Sequence, residues 1–370
     1  MDILSMNIEE LQLLVKELGQ PAYRAVQVFE WLHRRFPNSG EAFSFAGMNN
    51  LPKALRDKLE SRCYITPVNV EKTLYAQDGT IKFLLAVGGG ESAPACVYIE
   101  SVLMEYAHGH SLCISTQAGC RMGCIFCATG HSGLLRNLSA GEMCRQVYAA
   151  RTDAVTHGSL PSIAGQNGDI EMGRIRNIVL MGCGEPLDNY DATLRFIELI
   201  THPKGYGLSQ RHITLSTCGL IPEIRELAKK KLQINLAISL HGPDDATRQA
   251  LMPVAAANPI KELLAACREY ANITRRRITF EYALTQGIND NPIQARTLAN
   301  LLKGMLCHVN LIPVNPTGLT TLSPATKSAA NAFAAVLQDS NIPATIRRTI
   351  GAEVDAACGQ LRAAHTNSLR

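Results

Sequence analysis

The sequence predicts an α/β protein: a parallel sheet covered by helices, preceded by a small helical module and a short antiparallel β extension. After residue 111, short apolar segments alternate with amphipathic ones in six units, which is typical of a parallel sheet buried on both faces. Hydrophobic residues make up 46% and charged residues 18% of the 370 residues, so the chain can bury a sizeable core. We therefore predict three parts: residues 1–62, 63–111 and 112–370.

The first part is predicted to be helical. Asn7 can cap a helix, with Glu10 three residues later as its capping-box partner. A Gly-Gln-Pro segment ends this helix, a second one continues to Phe36, and a third covers residues 51–60. The basic residues of this module could either contact nucleic acid or form a solvated helix face; they are Arg24, His33, Arg34 and Arg35.

The second part, residues 63–111, changes to the two-residue period of strands. Residues 72–75 and 81–87 flank a Gln77-Asp78-Gly79 turn, which predicts a β-hairpin. Residues 97–104 continue as a third strand. This part is expected to be an antiparallel extension that joins the helical module to the main domain.

The third part contains the six strand–helix units. The predicted strands are 112–115, 177–181, 212–217, 234–240, 277–284 and 308–313. Helices are predicted near 139–147, 192–200, 222–230, 260–270, 292–302 and 326–338. Cysteine, Gly-Glu-Pro and Ser-Leu-His motifs come just after strand ends, as in a barrel whose chemistry lies at the carboxyl rim. Residues 152–173 are rich in Gly, Ser and polar residues and predict a loop insertion.

Three cysteines form the most informative motif. Cys120, Cys124 and Cys127 have the spacing C-x3-C-x2-C. Three thiolates on one tight loop can hold three irons of a [4Fe–4S] cluster and leave the fourth iron open to a small molecule. An iron that can be both reduced and coordinated is what reductive cleavage of S-adenosylmethionine requires. The alternative is a structural zinc site with His131 as the fourth ligand.

The termini and composition predict a cytoplasmic protein with no membrane association. The N-terminus lacks a basic start and an apolar signal core, and no apolar run reaches the ~18 residues that span a bilayer. Twelve cysteines without a signal sequence indicate a reducing compartment and metal or redox chemistry. A net charge of +4 permits an RNA partner without requiring one.

Polar residues at the ends of successive strands predict a cofactor site. Met181-Gly-Cys-Gly-Glu-Pro186 directly follows a strand; its glycines allow a ligand close to the backbone, and Glu185 could accept from the amino group of a bound methionine. Each such residue alone is more often a cap or turn residue, but several at one rim are better explained by a shared polar ligand. The predicted cofactor contacts are Gly184, Glu185, Ser216, Ser239, Leu240, His241 and Asn315.

Three basic clusters are candidates for phosphate contacts. Lys229–Lys231 lies at a predicted helix C-terminus, where cations are favourable in any case. Arg275–Arg277 is likewise not assigned to RNA. Arg347 and Arg348 are the better candidates, because they lie just before the cysteine-bearing segment near the C-terminus.

Six segments, in this order, resemble the RlmN/Cfr family of radical SAM RNA adenosine methyltransferases: CISTQAGCRMGCIFCATG, GCGEPLDN, ITLSTCGLIP, AISLHGPDD, HVNLIPVNP and DAACGQL. The N-terminal GQPAYRAVQVFEWLH is also similar, so the resemblance covers nearly the whole chain. It implies a partial TIM-type (β/α)6 radical SAM barrel, a [4Fe–4S] cluster on Cys120, Cys124 and Cys127, and two molecules of S-adenosylmethionine per turnover. Cys183 and Cys218 depart from the family pattern beside the cofactor.

The resemblance also implies the substrates and partners. The family modifies an adenosine in the peptidyl-transferase centre of 23S rRNA: RlmN members methylate carbon 2, and some also modify the adenosine beside the tRNA anticodon. Cfr members methylate carbon 8 and confer antibiotic resistance. Pro186 is similar to RlmN, where Cfr sequences carry Ala. A monomer that receives electrons from flavodoxin or ferredoxin is expected.

A radical route makes chemical sense, because carbon 2 of adenine is electron-poor and cannot attack a sulfonium methyl group. By resemblance, Cys358 carries a methyl group that becomes a methylene radical and adds to the base. Glu100 would act as the general base, and Cys113 would release the product by forming a transient disulfide with Cys358. Without the resemblance, Cys358 would be read as a small buried hydrophobe and Glu100 as a solvent-facing strand residue.

Two other functions remain open at this point. One is a zinc-stabilised RNA-binding protein without catalysis. The other is a radical SAM enzyme that acts on a small molecule, against which the helical module and the Cys113/Cys358 pair argue.

Overall fold

The N-terminal module consists of three helices: α1 (Ile8–Glu17), α2 (Tyr23–His33) and α3 (Lys53–Arg62). The computed structural model describes residues 1–34, 43–89, 93–107, 109–160, 163–164, 170–171 and 173–361. The predicted capping box of α1 is confirmed, since the Asn7 side chain accepts from Glu10 N–H and the Glu10 carboxylate accepts from Asn7 N–H at 2.8 Å. The prediction that α2 continues to Phe36 reaches residues outside those described, as does the basic Arg35.

His33 at the end of α2 is fully buried rather than exposed. Its Nδ1 lies 2.8 Å from the Tyr148 hydroxyl, and burial lowers the pKa of His33 to about 3. The ring is therefore neutral near pH 7, and its burial fits neither of the two alternatives for this residue, a nucleic-acid contact or a solvated helix face. The apolar spacing of α2 placed His33 on the face that packs against the main domain.

The antiparallel extension consists of β1 (Val68–Tyr75), β2 (Ile81–Val87) and β3 (Val97–Tyr106), and β3 then pairs with β4 (Gly109–Ile114). The predicted hairpin turn lies between β1 and β2. Side chains on β2 alternate as a pleated strand requires, and Ile81, Phe83 and Leu85 enter the main hydrophobic core.

A second hairpin and a long helix follow β4. The hairpin is β5 (Gln117–Cys120) with β6 (Gly133–Asn137), and the cysteine motif lies on and between its strands. Ser139 and Glu142 form the predicted capping box of α4 (Ala140–Thr156). The predicted loop insertion, residues 152–173, is wrong at its start, because α4 continues to Thr156. It also contains a short pair of strands, β7 (Ile163–Ala164) and β8 (Ile170–Glu171), and part of it lies outside the described residues.

The rest of the chain alternates strands and helices. The strands are β9 (Asn177–Leu180), β10 (Ile213–Thr217), β11 (Asn235–Ser239), β12 (Ile278–Leu284), β13 (Cys307–Pro313) and β14 (Ala344–Ile346). The helices are α5 (Tyr190–Thr201), α6 (Ile221–Lys229), α7 (Asp245–Leu251), α8 (Ile260–Thr274), α9 (Pro292–Leu302) and α10 (Lys327–Asp339). The six predicted parallel strands are confirmed as β4 and β9–β13, and β14 adds a parallel edge strand.

One sheet unites these strands in the order β1-β2-β3-β4-β9-β10-β11-β12-β13-β14. The first four are antiparallel, and the others run parallel to β4. Residues at the carboxyl ends of β9 through β13 line a single cavity, so the sheet curls into the predicted partial barrel. No helix among the described residues is long and apolar enough to cross a lipid bilayer.

The helical module is fixed to the barrel by both packing and hydrogen bonds. Ile3, Leu4 and Phe29 belong to the same hydrophobic core as the barrel strands. The Ser139 hydroxyl donates to the Asp2 carboxylate at 3.1 Å, and Gly141 N–H donates to the Ser5 hydroxyl at 2.9 Å. The module therefore packs directly on the first turn of α4, immediately after the cysteine hairpin.

Candidate active site

An open cavity of about 960 Å³ lies at the carboxyl rim of the barrel, and we call it the rim cavity. Nearly all of the predicted site residues meet there. Those that line it are Cys120, Cys124, Cys127, Gly184, Glu185, Ser216, Ser239, His241, Asn315 and Cys358. The chain segments that carry them are far apart in sequence, and the parallel sheet brings its strand ends to one edge.

The three motif cysteines are held by a tight loop that also supplies hydrogen-bond donors. Burial raises the pKa of the Cys120 thiol to about 12 and also raises the pKa of Cys124 and Cys127. Backbone N–H groups of Gly130 and Thr129 act in the opposite direction on Cys127, because they stabilise a thiolate. Such N–H···S contacts are what a thiolate bound to iron needs around it.

The loop fits an iron–sulfur cluster better than a single zinc ion. A zinc ion would draw its ligands to within ~2.3 Å of one point, whereas each cysteine of a cluster binds a different iron. Over the described ranges, no three Cys, His, Asp or Glu side chains are grouped so that they could share one metal ion. His131, the proposed fourth zinc ligand, is exposed, and its Nε2 lies 3.0 Å from the Ile125 carbonyl oxygen, which engages that nitrogen.

The Gly-Cys-Gly-Glu-Pro turn after β9 is bonded to the segment that leads into the cysteine loop. The Cys183 carbonyl accepts from Thr116 N–H at 2.9 Å and from Gln117 N–H at 3.1 Å. Gly184 has a φ of 106°, and a Cβ there would lie 2.6 Å from Gln117 Cβ. Only glycine fits this approach, so the turn and the cysteine loop are held as one unit.

Glu185 is buried at the wall of the rim cavity. Its carboxylate accepts from Leu187 N–H at 3.0 Å and from Cys218 N–H at 2.7 Å. Burial raises the pKa of this carboxyl, while these N–H donors act to lower it. A carboxylate has about four lone-pair sites, so acceptor capacity remains for a ligand ammonium group.

His241 follows β11 and presents a defined tautomer to the cavity. Ala283 N–H donates to its Nδ1 at 2.9 Å, and burial lowers the pKa of His241 to about 3. The ring is therefore neutral and carries its proton on Nε2, where it can only donate. The Phe126 ring packs edge-on against it with centroids 4.7 Å apart.

Ser216, next to last in β10, and Ser239, the last residue of β11, line the rim cavity, but Leu240 does not. The Leu240 side chain is fully buried in the main core. Its N–H donates to the Glu281 carbonyl at 3.0 Å, and its carbonyl accepts from the Arg248 guanidinium at 3.1 Å. The structure thus gives Leu240 a packing position beside the predicted cofactor contacts.

A second cavity of about 540 Å³ contains both cysteines of the predicted thiol pair, and we call it the cysteine cavity. Cys113 on β4 and Cys358 near the C-terminus both line it. Cys358 also lines the rim cavity, so this residue lies at the boundary of the two. Burial raises the pKa of Cys113 well above its usual range, and a negative charge on Cys358 would raise it further.

Asn315 and Arg347 lie at the same boundary. The Asn315 side-chain amide donates to the Cys358 carbonyl at 3.0 Å. A negative charge on Cys358 raises the pKa of Arg347, and the guanidinium charge in turn favours the Cys113 thiolate. Arg347, predicted as a phosphate contact, therefore faces the thiol pair.

Glu100 on β3 lines neither cavity. Its carboxylate forms an ion pair with Lys82 at 2.8 Å, and both side chains are buried. Its backbone carbonyl accepts from the Ser115 hydroxyl at 2.7 Å. It belongs to the same face of the sheet as Val102, two residues further along, which does line the cysteine cavity.

Sequence reasoning missed Glu281, a buried carboxyl that lines the rim cavity from β12. Burial raises its pKa, the Arg347 charge opposes this, and its carboxylate accepts from the Asn310 amide at 2.8 Å. One available signal was its position within the otherwise apolar strand segment Ile-Thr-Phe-Glu-Tyr-Ala-Leu.

The other two basic clusters lie at the opposite end of the barrel. Lys229 ends α6, and Arg277 immediately precedes β12, so both precede the amino ends of strands. The Arg276 guanidinium donates to the Asn235 side chain at 2.6 Å, and Lys229 contacts Glu226. Neither cluster is near the rim cavity.

Comparison with known proteins identifies this arrangement. Residues 114–296 match the radical SAM superfamily, and residues 1–65 match the ribosomal RNA large subunit methyltransferase N-terminal domain. The chain is 45% identical, over 99% of its length and 98% of the relative's, to a probable dual-specificity RNA methyltransferase RlmN of Clostridium perfringens strain 13. It is 46% identical, over 98% of both chains, to the protein of the same name from Alkaliphilus oremlandii.

A solved structure is similar over the same extent. The crystal structure of a radical SAM methyltransferase from Sphaerobacter thermophilus superposes with a TM-score of 0.87 at 42% identity. The similarity covers 98% of this chain and 99% of that one. The helical module, the antiparallel extension and the barrel are thus shared as one arrangement.

Proposed function

The chain belongs to the RlmN family of radical SAM methyltransferases, and on this premise we propose that it methylates carbon 2 of an adenosine in the peptidyl-transferase centre of 23S rRNA. The adenosine beside the tRNA anticodon is the proposed second substrate. The curated relatives are named dual-specificity RNA methyltransferases, and residues 1–65 match a ribosomal RNA methyltransferase domain, which supports an RNA substrate.

Radical SAM enzymes use a [4Fe–4S] cluster and S-adenosylmethionine, so the predicted cofactors are confirmed and the zinc alternative is wrong. We propose that Cys120, Cys124 and Cys127 hold the cluster. Glu185 would bind the amino group of the methionine, and Ser216, Ser239 and neutral His241 would provide hydrogen bonds at the adjacent strand ends. When bound, these cofactors would supply a 5′-deoxyadenosyl radical that can remove a hydrogen atom from the methyl group of an S-methylcysteine.

The protein's own residues carry the methyl group and release it. The Cys358 thiolate first takes the methyl group of one S-adenosylmethionine, which leaves as S-adenosylhomocysteine. Addition of the methylene radical to carbon 2 leaves one unpaired electron on the ring. Glu100 then accepts the proton from carbon 2, and the one-electron carrier, flavodoxin or ferredoxin, would take up the unpaired electron. The Cys113 thiolate next attacks the Cys358 sulfur: the S–S bond forms, the carbon–sulfur bond breaks, and its electron pair stays with the methylene carbon, which takes up a proton and becomes the methyl group of the product. A thiol reductant reopens the disulfide for the next turnover.

The observation that carries this proposal is the pair of cavities that meet at Cys358. A methyl-carrying cysteine has to reach both the cofactors in the rim cavity and a thiol that is not proposed to bind the cluster. Cys358 faces both cavities, and Cys113 lines the second one. A methyl-carrying cysteine with a resolving cysteine requires this arrangement, whereas methyl transfer directly from a sulfonium does not.

The proposed cellular setting follows from the same chemistry. The disulfide must be reduced once per turnover, and thiolates must bind iron, so we place the enzyme in a reducing cytoplasm. We further propose that it acts as a monomer and that flavodoxin or ferredoxin supplies electrons to the cluster.

The test is mass spectrometry of nucleosides from 23S rRNA and tRNA treated with the anaerobically reconstituted enzyme. We expect 2-methyladenosine from both RNAs with the wild-type protein, and none with Cys358→Ser. Cys96→Ser is the matched control, because Cys96 is exposed and belongs to neither cavity, and it should retain activity. Formation of 8-methyladenosine would instead assign a Cfr-type activity, and normal methylation by Cys358→Ser would discard the methyl-cysteine mechanism.

A further inference from the structure

Lys82 is a buried lysine whose ammonium group joins two parts of the proposed machinery. Its Nζ lies 2.8 Å from a carboxylate oxygen of Glu100 and donates to the Asp355 carbonyl at 3.1 Å. The lysine and glutamate side chains are 8% and 5% exposed, respectively. A charged pair this deeply buried is expensive to desolvate, so stability alone does not explain its presence.

The sheet register places Lys82 on the face that carries the thiol chemistry. Lys82 is opposite Val102 on β3, and Val102 is opposite Cys113 on β4. Residues directly opposite each other in adjacent strands project to the same face. Glu100 is two positions from Val102 and shares that face, whereas the intervening apolar residues Ile81, Phe83 and Ile99 enter the main core.

The second hydrogen bond of Lys82 connects this face to the Cys358 segment. Asp355 lies three residues before Cys358, and the intervening Ala356 and Ala357 line the cysteine cavity. The turn between β1 and β2 holds the same segment, because the Asp78 carboxylate accepts from Gly351 N–H at 2.8 Å. Lys82 is therefore bonded both to the proposed base and to the backbone that carries the methylated cysteine.

We propose that Lys82 is a positioning residue that fixes Glu100 as an ionised carboxylate and in register with the Cys358 segment. This inference rests on the proposed function, in which the adenine linked to Cys358 loses the proton of its carbon 2. In that step the carbon–hydrogen bond breaks, the proton goes to a Glu100 carboxylate oxygen, and the electron pair stays on the ring. Lys82 neither gives nor takes a proton in this step, and it touches neither the RNA nor the reacting sulfur.

The test compares methylation of RNA with protium or deuterium at carbon 2 of the target adenosine. Lys82→Met should lower product formation about tenfold or more, since a positioned general base contributes ~10²–10⁴-fold. It should also raise the deuterium isotope effect above the wild-type value, because proton removal becomes rate-limiting. Methylation of Cys358 and cleavage of S-adenosylmethionine should stay within about twofold, since neither uses Glu100.

Lys72→Met is the matched control, because Lys72 is an exposed residue of the same hairpin, opposite Leu84. If Lys82→Met fails to load the cluster, the same measurements are made on Lys82→Gln, because its side-chain amide keeps a hydrogen-bond donor at the site. A Lys82 variant with the same product rate and isotope effect as Lys72→Met would overturn the inference. An equal fall in RNA methylation, Cys358 methylation and S-adenosylmethionine cleavage would also overturn the inference, because it would show that Lys82 has a purely structural role. Failure of the proposed function is distinct, because wild-type enzyme would then form no 2-methyladenosine.

Discussion

At the scale of single residues, burial decides the charge state of the histidines that matter most. His33 and His241 are both buried, and burial lowers the pKa of each to about 3. A neutral His241 can donate from Nε2 in the rim cavity, whereas a charged ring beside the cysteine loop would alter the field around the cluster. A neutral His33 packs between Phe29 and Tyr148, where an imidazolium would have no compensating charge.

The buried histidines predict how stability depends on pH. Their pKa in the folded state is below the unfolded value of ~6.5, so the unfolded chain binds more protons between pH ~6.5 and ~3. Their contribution to stability is complete above pH ~6.5 and is lost as the pH falls. Replacing His33 by Phe should reduce the slope of the free energy of unfolding against pH by about 1 kcal/mol per pH unit between pH ~6 and ~5.

Urea unfolding at several pH values measures this slope. The wild-type chain is the reference for this comparison. An unchanged slope in His33→Phe would mean that His33 does not titrate differently in the folded and unfolded chains.

The cluster cysteines give a second prediction at the residue scale. Changing Cys120, Cys124 or Cys127 to Ala should abolish iron loading and all cleavage of S-adenosylmethionine, because each thiolate is proposed to hold one iron. Iron analysis and visible absorbance of the anaerobically purified proteins measure the loading. Full cluster absorbance in one variant would remove that cysteine from the ligand set.

At the scale of elements, the Cys358 segment is held by other parts of the chain rather than by its own secondary structure. Gly351 and Glu353 bond to the β1–β2 turn, and Gly359 accepts from Ala128 N–H at 2.7 Å in the cysteine loop. The Leu361 carbonyl accepts from the Thr129 hydroxyl at 2.6 Å. The hairpin turn of the antiparallel extension thus anchors the segment that presents Cys358, the cysteine proposed to carry the methyl group.

Removing one anchor should loosen this segment without unfolding the barrel. Asp78→Ala deletes the acceptor for Gly351 N–H, and a hydrogen bond has a net value of ~1 kcal/mol, so proteolysis after the β14 strand should become about fivefold faster. Limited proteolysis with mass mapping measures this rate. Asp57→Ala, on the exposed face of α3, is the control and should be cleaved as the wild type. Equal cleavage of both variants would show that the turn does not anchor the segment.

At the scale of the whole molecule, the sequence predicts the barrel but not the contacts that complete its site. The six central strands are predictable because their apolar runs are nearly continuous, and motifs at strand ends meet because parallel strands share a carboxyl edge. The elements α7, β14 and the β5–β6 hairpin are too short or too polar for a periodic signal. Lys82 reads as an ordinary strand lysine, because its partners Glu100 and Asp355 are brought to it only by tertiary packing.

The thiol pair itself is also a property of the whole molecule, since it joins β4 to the last described segment of the chain. Cys113 and Cys358 are 245 positions apart in the numbered sequence, yet both line the cysteine cavity. Sequence spacing alone cannot pair the two cysteines. The family resemblance implied the pairing, and the fold places both cysteines on a common cavity. The central claim is that the Cys113 thiol releases an RNA that Cys358 has bound covalently.

The most direct test of this claim is denaturing gel analysis of Cys113→Ala after turnover with RNA. Removing the resolving thiol should block release without blocking addition, because only attack on the Cys358 sulfur breaks the bond to the product. We expect a covalent protein–RNA species that survives denaturation, disappears on nuclease digestion, and requires both Cys358 and an intact cluster. Free turnover by Cys113→Ala, or the absence of any adduct while its cluster is retained, would contradict the account and leave Cys113 as a packed core residue.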